Sequence, residues 1–213
     1  VRGLGPRSSQ TTGYADDLSC VIAPIDERGK IKLGNEMINI IHTRAGRAGL
    51  ELSKKKTKAV NIGPGPVEDL EPLVYDGKEL EIIGGAGAEK VLGFIFDAVG
   101  DHSRHTKHVL AHADLGLRGI APATRCDDTG IYRPQLRQLA IGLCMSHLAY
   151  CLHLVWGNLG PKDRNDITKC DYEIASLVAG VEQGVDTYDT YVEANMIPID
   201  HQMQAGAALR IKA

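Results

Sequence analysis

Asp16 and Asp17 are the residues of this 213-residue chain best suited to chemistry. They stand side by side in Thr11-Thr12-Gly13-Tyr14-Ala15-Asp16-Asp17-Leu18-Ser19-Cys20-Val21-Ile22, between two short β-prone runs. Thr, Tyr, Val and Ile favour extended backbone, and an Asp pair between such runs predicts the tip of a hairpin. A tight turn breaks the alternation of faces along a strand, so both carboxylates can share one exposed apex. Adjacent carboxylates repel, and they are comfortable only in solvent or against a cation. Mg²⁺ takes oxygen ligands, usually one or two of them protein carboxylates, and fills its shell with phosphates and water. The residues alone leave two readings open: a solvated surface turn, or half of a two-metal phosphoryl-transfer site.

Other chemistry-bearing groups are less specific. Lys54, Lys55, Lys56 and Lys58 put four lysines in five residues, a pattern shared by solvated loops and unspecific basic patches. His102, His105, His108 and His112 fall in or beside a predicted helix. His108 and His112 are four apart, a spacing that can bind a metal, but no third ligand type stands nearby at a matching spacing, so a polar helix face is the preferred reading. The cysteines (Cys20, Cys126, Cys144, Cys151 and Cys170) are odd in number and form no Cys-x-x-Cys pair. They indicate neither a disulfide framework nor a zinc finger, which makes a reducing, intracellular compartment the default. The formal net charge is −3, but residues 1–60 carry +5 and the rest −8. A phosphate-facing surface is therefore expected in the first part.

The elements that must position these groups follow from periodicity and turn chemistry. Residues 1–10 read as irregular, and Pro24 to Lys30 as a turn. A helix is predicted from about Leu33 to Ala48, with Leu33, Met37, Ile40, Ile41 and Ala45 as its apolar stripe and Gly49 as its stop. A short strand, the basic loop and a second strand through Ile62 come next, and Gly63-Pro64-Gly65-Pro66 breaks the chain. Leu73 to Ile83 reads as a hairpin turning at Asp76-Gly77, and Lys90 to Asp97 as one strand through Phe96. A helix from Ser103 to Gly116, a connector from Gly119 to Gly130 that carries Asp127-Asp128, and a long helical stretch from Ile131 to Trp156 follow. Further helices are expected from Asp163 to Val178, near Thr187 to Asn195, and from about Asp200. The fold class is α+β. No apolar run is seen to approach the roughly 20 residues that span a bilayer.

Four segments, in this order, carry a resemblance to the reverse transcriptases of non-LTR retrotransposons. Tyr14-Ala15-Asp16-Asp17 is similar to that family's catalytic hairpin. Gly49-Leu50-Glu51-Leu52-Ser53-Lys54-Lys55-Lys56-Thr57 resembles its Gly-Leu-x-Leu-(Asn/Ser)-x-x-Lys-Thr stretch, with Lys56 on the family's lysine. Val91-Leu92-Gly93-Phe94-Ile95-Phe96-Asp97 is similar to its Tyr-Leu-Gly-x-x-x-Asp block, with Val91 in place of the aromatic. Tyr150-Cys151 and Trp156 resemble a helix end where the family carries Tyr-Gly and then Trp, with Cys151 in place of the glycine. The entry Met196-Ile197-Pro198-Ile199 also resembles the region behind the polymerase.

The resemblance implies a partial polymerase palm of β-hairpins plus a helix over residues 1–100, with a primer-grip-like hairpin, and a mostly helical thumb and post-thumb region over 101–213. It implies Asp16 and Asp17 as catalytic metal ligands for Mg²⁺, and Lys56 as a catalytic lysine near the leaving pyrophosphate. Tyr14, Leu92, Gly93 and Lys107 would meet nucleic acid or primer. The partners implied are an RNA template, a DNA primer and dNTP, with no membrane and a nuclear location. The family's first catalytic Asp lies well upstream of the hairpin, and residues 1–13 contain no Asp or Glu. The expectation is an RNA-directed DNA polymerase fragment that is inactive, or nearly so, by itself. The competing readings are a non-catalytic nucleic-acid-binding piece, an inert relic of a decayed element, and an unrelated metal-dependent nuclease drawing on Asp97 or Asp101.

Overall fold

The computed structural model describes residues 8–14, 17–23, 27–62, 72–124, 132–181 and 186–210. The fold is α+β. Two compact units divide it: Val1–Glu89 with Phe96–Gly100, and Lys90–Ile95 with Asp101–Ala213.

The first unit opens with the ribbon that the Asp pair predicts. Strand β1 (Ser8–Tyr14) runs antiparallel to β2 (Asp17–Ala23), in a register that pairs Tyr14 with Asp17 and Ser8 with Ala23. Residues 8–10 are thus strand rather than irregular chain. Helix α1 (Glu27–Arg47) starts six residues earlier than its apolar stripe suggests. It ends in a Schellman turn: Leu50 N–H donates to Ala45 O at 2.9 Å, Gly49 N–H to Gly46 O at 3.1 Å, and Gly49 takes φ +72°.

The buried face of α1 is rotated from the predicted one. Ile31, Gly34 and Ala45 are buried and Ile40 is exposed. The reason is the partner. Leu73, Tyr75 and Leu80 form a small core with Ile31, and a Cβ on Gly34 would sit 2.6 Å from Leu73 Cδ2. Asn35 Oδ1 accepts the Val74 N–H at 2.8 Å on the same face.

Beyond α1, residues 50–53 form no strand, and β3 (Ala59–Val60) is only two residues long. It pairs in parallel with β6 (Ile82–Ile83). Strands β4 (Val74–Tyr75) and β5 (Lys78–Glu79) make the predicted hairpin, with Asp76 at φ 47° and Gly77 at φ 72°. Two successive positive φ angles are those of a type I′ turn, whose twist suits a hairpin.

The segment read as one strand through Phe96 is instead a second hairpin. Strands β7 (Ala88–Val91) and β8 (Phe94–Asp97) pair across a turn with Leu92 at φ 49° and Gly93 at φ 85°. Among the described residues each strand pair is a separate two-stranded sheet.

The second unit is helical. Helix α2 (Ser103–Thr124) runs eight residues past its predicted end at Gly116, carrying Pro122 inside it. The predicted Ile131–Trp156 helix is broken up. It comprises α3 (Arg133–Ala140), a π-helical turn (Ile141–Met145), α4 (Ser146–Leu148), α5 (Leu152–Val155) and a 3₁₀ turn (Trp156–Asn158). The buried residues explain the interruptions. Leu136, Ala140, Cys144, Leu148 and Leu152 repeat strictly every four residues. At 3.6 residues per turn each step overshoots by about 40°. A π turn, wider than an α turn, restores the phase. The left-handed Cys151, at φ 55°, redirects the chain before α5.

Part of this stretch, Arg133–Asn158, is long and apolar enough to cross a membrane by length and composition alone. Core helices of soluble proteins pass the same test, and its four-residue stripe is buried within the unit.

Helix α6 (Pro161–Ala179) opens with Pro at its first position and ends at Gly180, φ 70°. Helix α7 (Thr187–Ala194) is capped by Asp186, whose side chain accepts from Tyr188 N–H at 2.8 Å. Helix α8 (Ile199–Arg210) completes the unit. Its core gathers Ala113, Leu148, Ile167, Ile174 and Ile199, all essentially inaccessible to solvent. Asp127-Asp128, the Gly63–Pro66 break and residues 182–185 lie outside the described residues.

Candidate functional site

The acid ribbon belongs to the first unit. The Tyr14–Asp17 pairing leaves two residues between the strands, as an Asp-bearing hairpin tip requires. Asp16 itself lies outside the described residues, as do the side chains of Tyr14 and Asp17. The residue types fit half of a Mg²⁺ site, since two neighbouring carboxylates are what that ion draws from a protein. Among the described residues no group of three or more His, Cys, Asp or Glu side chains is placed to hold a metal ion.

The basic loop is less uniform than its composition implies. Lys54 pairs with Asp76, and Lys58 with Glu81 at 3.4 Å and Glu89 at 3.2 Å. These carboxylates hold both lysines above the usual ammonium range, Asp76 acting on Lys54 and Glu89 with Glu81 acting on Lys58. Asp76 is correspondingly held below the usual carboxylate range. Lys56 differs. Its side chain is exposed and makes no ion pair among the described residues, while its N–H is turned to Ser53 O at 3.2 Å. Two of the four lysines therefore staple the loop, while Lys55 and Lys56 are exposed and make no ion pair among the described residues.

Leu92 and Gly93 sit in the second unit, at the turn between β7 and β8. Tyr150, 58 residues further along the chain, holds this turn. Its hydroxyl donates to the Leu92 carbonyl, and a Cβ on Gly93 would stand 3.1 Å from the ring. Gly93 is thus required twice, by its positive φ and by the approach of a side chain rather than of another backbone.

Below the turn, Phe94 packs on His105 with centroids 4.3 Å apart. His105 is fully buried, and its Nε2 lies 3.1 Å from the Tyr150 carbonyl. A carbonyl only accepts, so Nε2 carries the proton; burial pushes this imidazole below its ordinary pKa and keeps it neutral. Turn, Tyr150 and His105 make one clamp, closed at Cys151, the left-handed residue that stands where the resemblance expects glycine.

The remaining candidates divide. Lys107 is exposed on α2. The carboxylates considered for a nuclease are occupied with backbone. Asp97 Oδ1 accepts from Val99 N–H at 3.0 Å, and Asp101 caps α2 through Ser103 N–H and Oγ, each at 2.9 Å. Those bonds lower the Asp101 pKa. Asp97 and Asp101 fall in different units.

Two features escaped the sequence reading. The first is a run of rings, His108 to His112 to His147, joined to Lys90. Its signal was partly present in the i, i+4 histidines of α2, but His147 and Lys90 come from distant segments. The second is Asp171, fully buried between Ile167 and Ile174 on α6. It accepts from Tyr191 Oη at 2.6 Å and from Ile199 N–H at 2.8 Å, tying α6, α7 and the start of α8 together. A carboxylate on the apolar stripe of a helix was the signal for it. Compared with known proteins, the chain matches no family model, no curated protein and no solved structure.

Proposed function

We propose that the chain is the downstream palm, primer grip and thumb of a retrotransposon RNA-directed DNA polymerase, and that by itself it holds primer–template without sustained synthesis. The observation that carries this reading is the clamp at Leu92-Gly93. Two segments chosen only by resemblance, Leu92-Gly93 and Tyr150-Cys151, are hydrogen-bonded to one another across 58 residues. The positive φ of Cys151 suits the glycine expected there. A turn braced in this way is a rigid edge against which a primer terminus could rest. The Asp16–Asp17 pair and the exposed Lys56 add to the reading.

The chemistry assigned to each group follows its type. Asp16 and Asp17 would hold Mg²⁺, which in such sites lowers the pKa of an attacking hydroxyl and steadies a triphosphate. Lys56 would stabilise charge on the departing pyrophosphate.

The test is a primer–template duplex with a recessed 3′ end, titrated with the 213-residue chain at low and high salt. Binding that weakens steeply with salt is expected, with nucleotide incorporation near background. Absence of binding at low salt overturns the polymerase reading. Robust Mg²⁺-dependent incorporation that is lost in Asp16→Ala overturns the claim that the chain alone is inactive.

A further inference from the structure

We propose that Lys90, His108, His112 and His147 form a proton-coupled binding site for phosphate-bearing anions. Three separate segments supply its residues, all four of which lie in the second unit: the end of β7 brings Lys90, α2 brings His108 and His112, and α4 brings His147. Lys90 Nζ lies 3.2 Å from His108 Nε2. The His108 and His112 rings meet edge to face with centroids 4.5 Å apart, and His112 stacks on His147 at 5.3 Å with 27° between planes.

An ammonium only donates, so His108 Nε2 is the acceptor, and that ring is neutral in this arrangement. Burial, and after it the positive charge of Lys90, hold the His108 pKa below its ordinary value. His105 stays outside the site, buried and bonded to the Tyr150 carbonyl. Asp114, also on α2, is paired with Arg118 at 2.7 Å. Lys107 adds an exposed positive charge beside His108 on the same helix.

Such a cluster repels itself when charged, and an anion supplies the missing sign. A protonated imidazole donates from both nitrogens, so an anion and a proton can be bound together at such a cluster. The four basic side chains come from a strand and two helices and stand in contact with one another, which suits an anion of more than one negative charge, such as phosphate, better than a singly charged carboxylate. A metal ion fits poorly, because the Lys90 ammonium already stands at the His108 nitrogen that would ligate it. Lys90 and His147 are exposed and His108 and His112 half-buried, so a ligand can reach all four.

The test is calorimetric titration of the full chain with sodium tripolyphosphate and, separately, with a short DNA duplex. Each titration is run at about pH 5.5 and about pH 7.5, across the range where histidine charges, and in two buffers of different ionisation enthalpy. Each proton taken up on binding tightens affinity by up to about tenfold per pH unit lowered. The expected result is affinity at least about tenfold tighter at the lower pH, with roughly one to two protons taken up. The variant lacking all three imidazoles, His108→Gln with His112→Gln and His147→Gln, should reduce that pH effect to below about twofold, with an unchanged far-UV circular dichroism spectrum. Binding of both probes assigns the site to polyphosphates generally, and binding of the duplex alone assigns it to a nucleic-acid strand. Failure of both probes to bind, or proton uptake that survives the triple substitution, overturns the proposal.

Discussion

Asp171→Asn should change how the stability of the helical unit depends on pH. Asp171 is fully buried, and burial pushes its carboxyl up from 3.8 to about 6, against the opposing effect of the bonds from Tyr191 and Ile199. A group whose folded pKa is raised favours the folded state while protonated. Its contribution is complete below the unfolded value and is lost as pH rises through the folded one. A shift of about two units at about 1.4 kcal/mol each amounts to roughly 3 kcal/mol. Asparagine keeps an acceptor for the Tyr191 hydroxyl and the Ile199 N–H but never ionises. Its amide must occupy the place of Oδ1, which has no partner among the described residues, at a cost of about 1–2 kcal/mol at every pH. That offset moves the curve without changing its shape. Urea unfolding followed by far-UV circular dichroism should therefore show the variant gaining on the parent by about 3 kcal/mol between about pH 4 and pH 6, then a plateau. For a chain of this length the gain corresponds to roughly 6–12 °C in Tm. A difference curve that stays flat, or falls, across that interval refutes the account of Asp171 as a buried, reluctantly ionised tie.

Three further substitutions probe the backbone. At Cys151, φ 55°, the glycine variant should be more stable than the alanine variant by about 1 kcal/mol in chemical denaturation, the reverse of their order inside a helix; alanine equal to or better than glycine would show that the residue is not left-handed in solution. Gly116→Ala places a Cβ 2.3 Å from the Leu143 carbonyl oxygen of the π turn, where backbone rather than a side-chain tip must yield, and should cost about 1–3 kcal/mol in the same assay. Gly93→Ala combines φ 85° with a Tyr150 contact at 3.1 Å and should lower stability by about 1–3 kcal/mol, with the loss partly recovered in a Tyr150→Ala background that removes the clash but not the strain.

Much of the chain's local structure is written in its local residues. The 3.6-residue spacing of Ile167, Cys170 and Ile174 is enough to place α6, and Pro161 and Gly180 mark its ends. Asp76-Gly77 announces a type I′ hairpin without help from the rest of the molecule. Where the reading failed, distant partners had decided the matter. Gly116 and Gly119 look like helix breakers at roughly 1 kcal/mol each against alanine. Yet α2 continues through both, because Ile120 is buried beyond them and Gly116 lets the π turn approach. Leu92-Gly93 sits among β-prone Val91, Phe94, Ile95 and Phe96, so nothing local marks it as a turn.

The division has one physical cause. Hydrogen bonding and side-chain periodicity within an element act between near neighbours, so sequence alone determined that there would be a β-ribbon flanking the Asp pair, an Asp-Gly hairpin and a run of amphipathic helices. The face each helix buries, the strained angle at Cys151, the clamp of Tyr150 on Leu92, the His108–His112–His147 run and the Asp171 tie join residues that are far apart in the chain. Such pairings are chosen by which surfaces lose water together, and only the tertiary structure decides that.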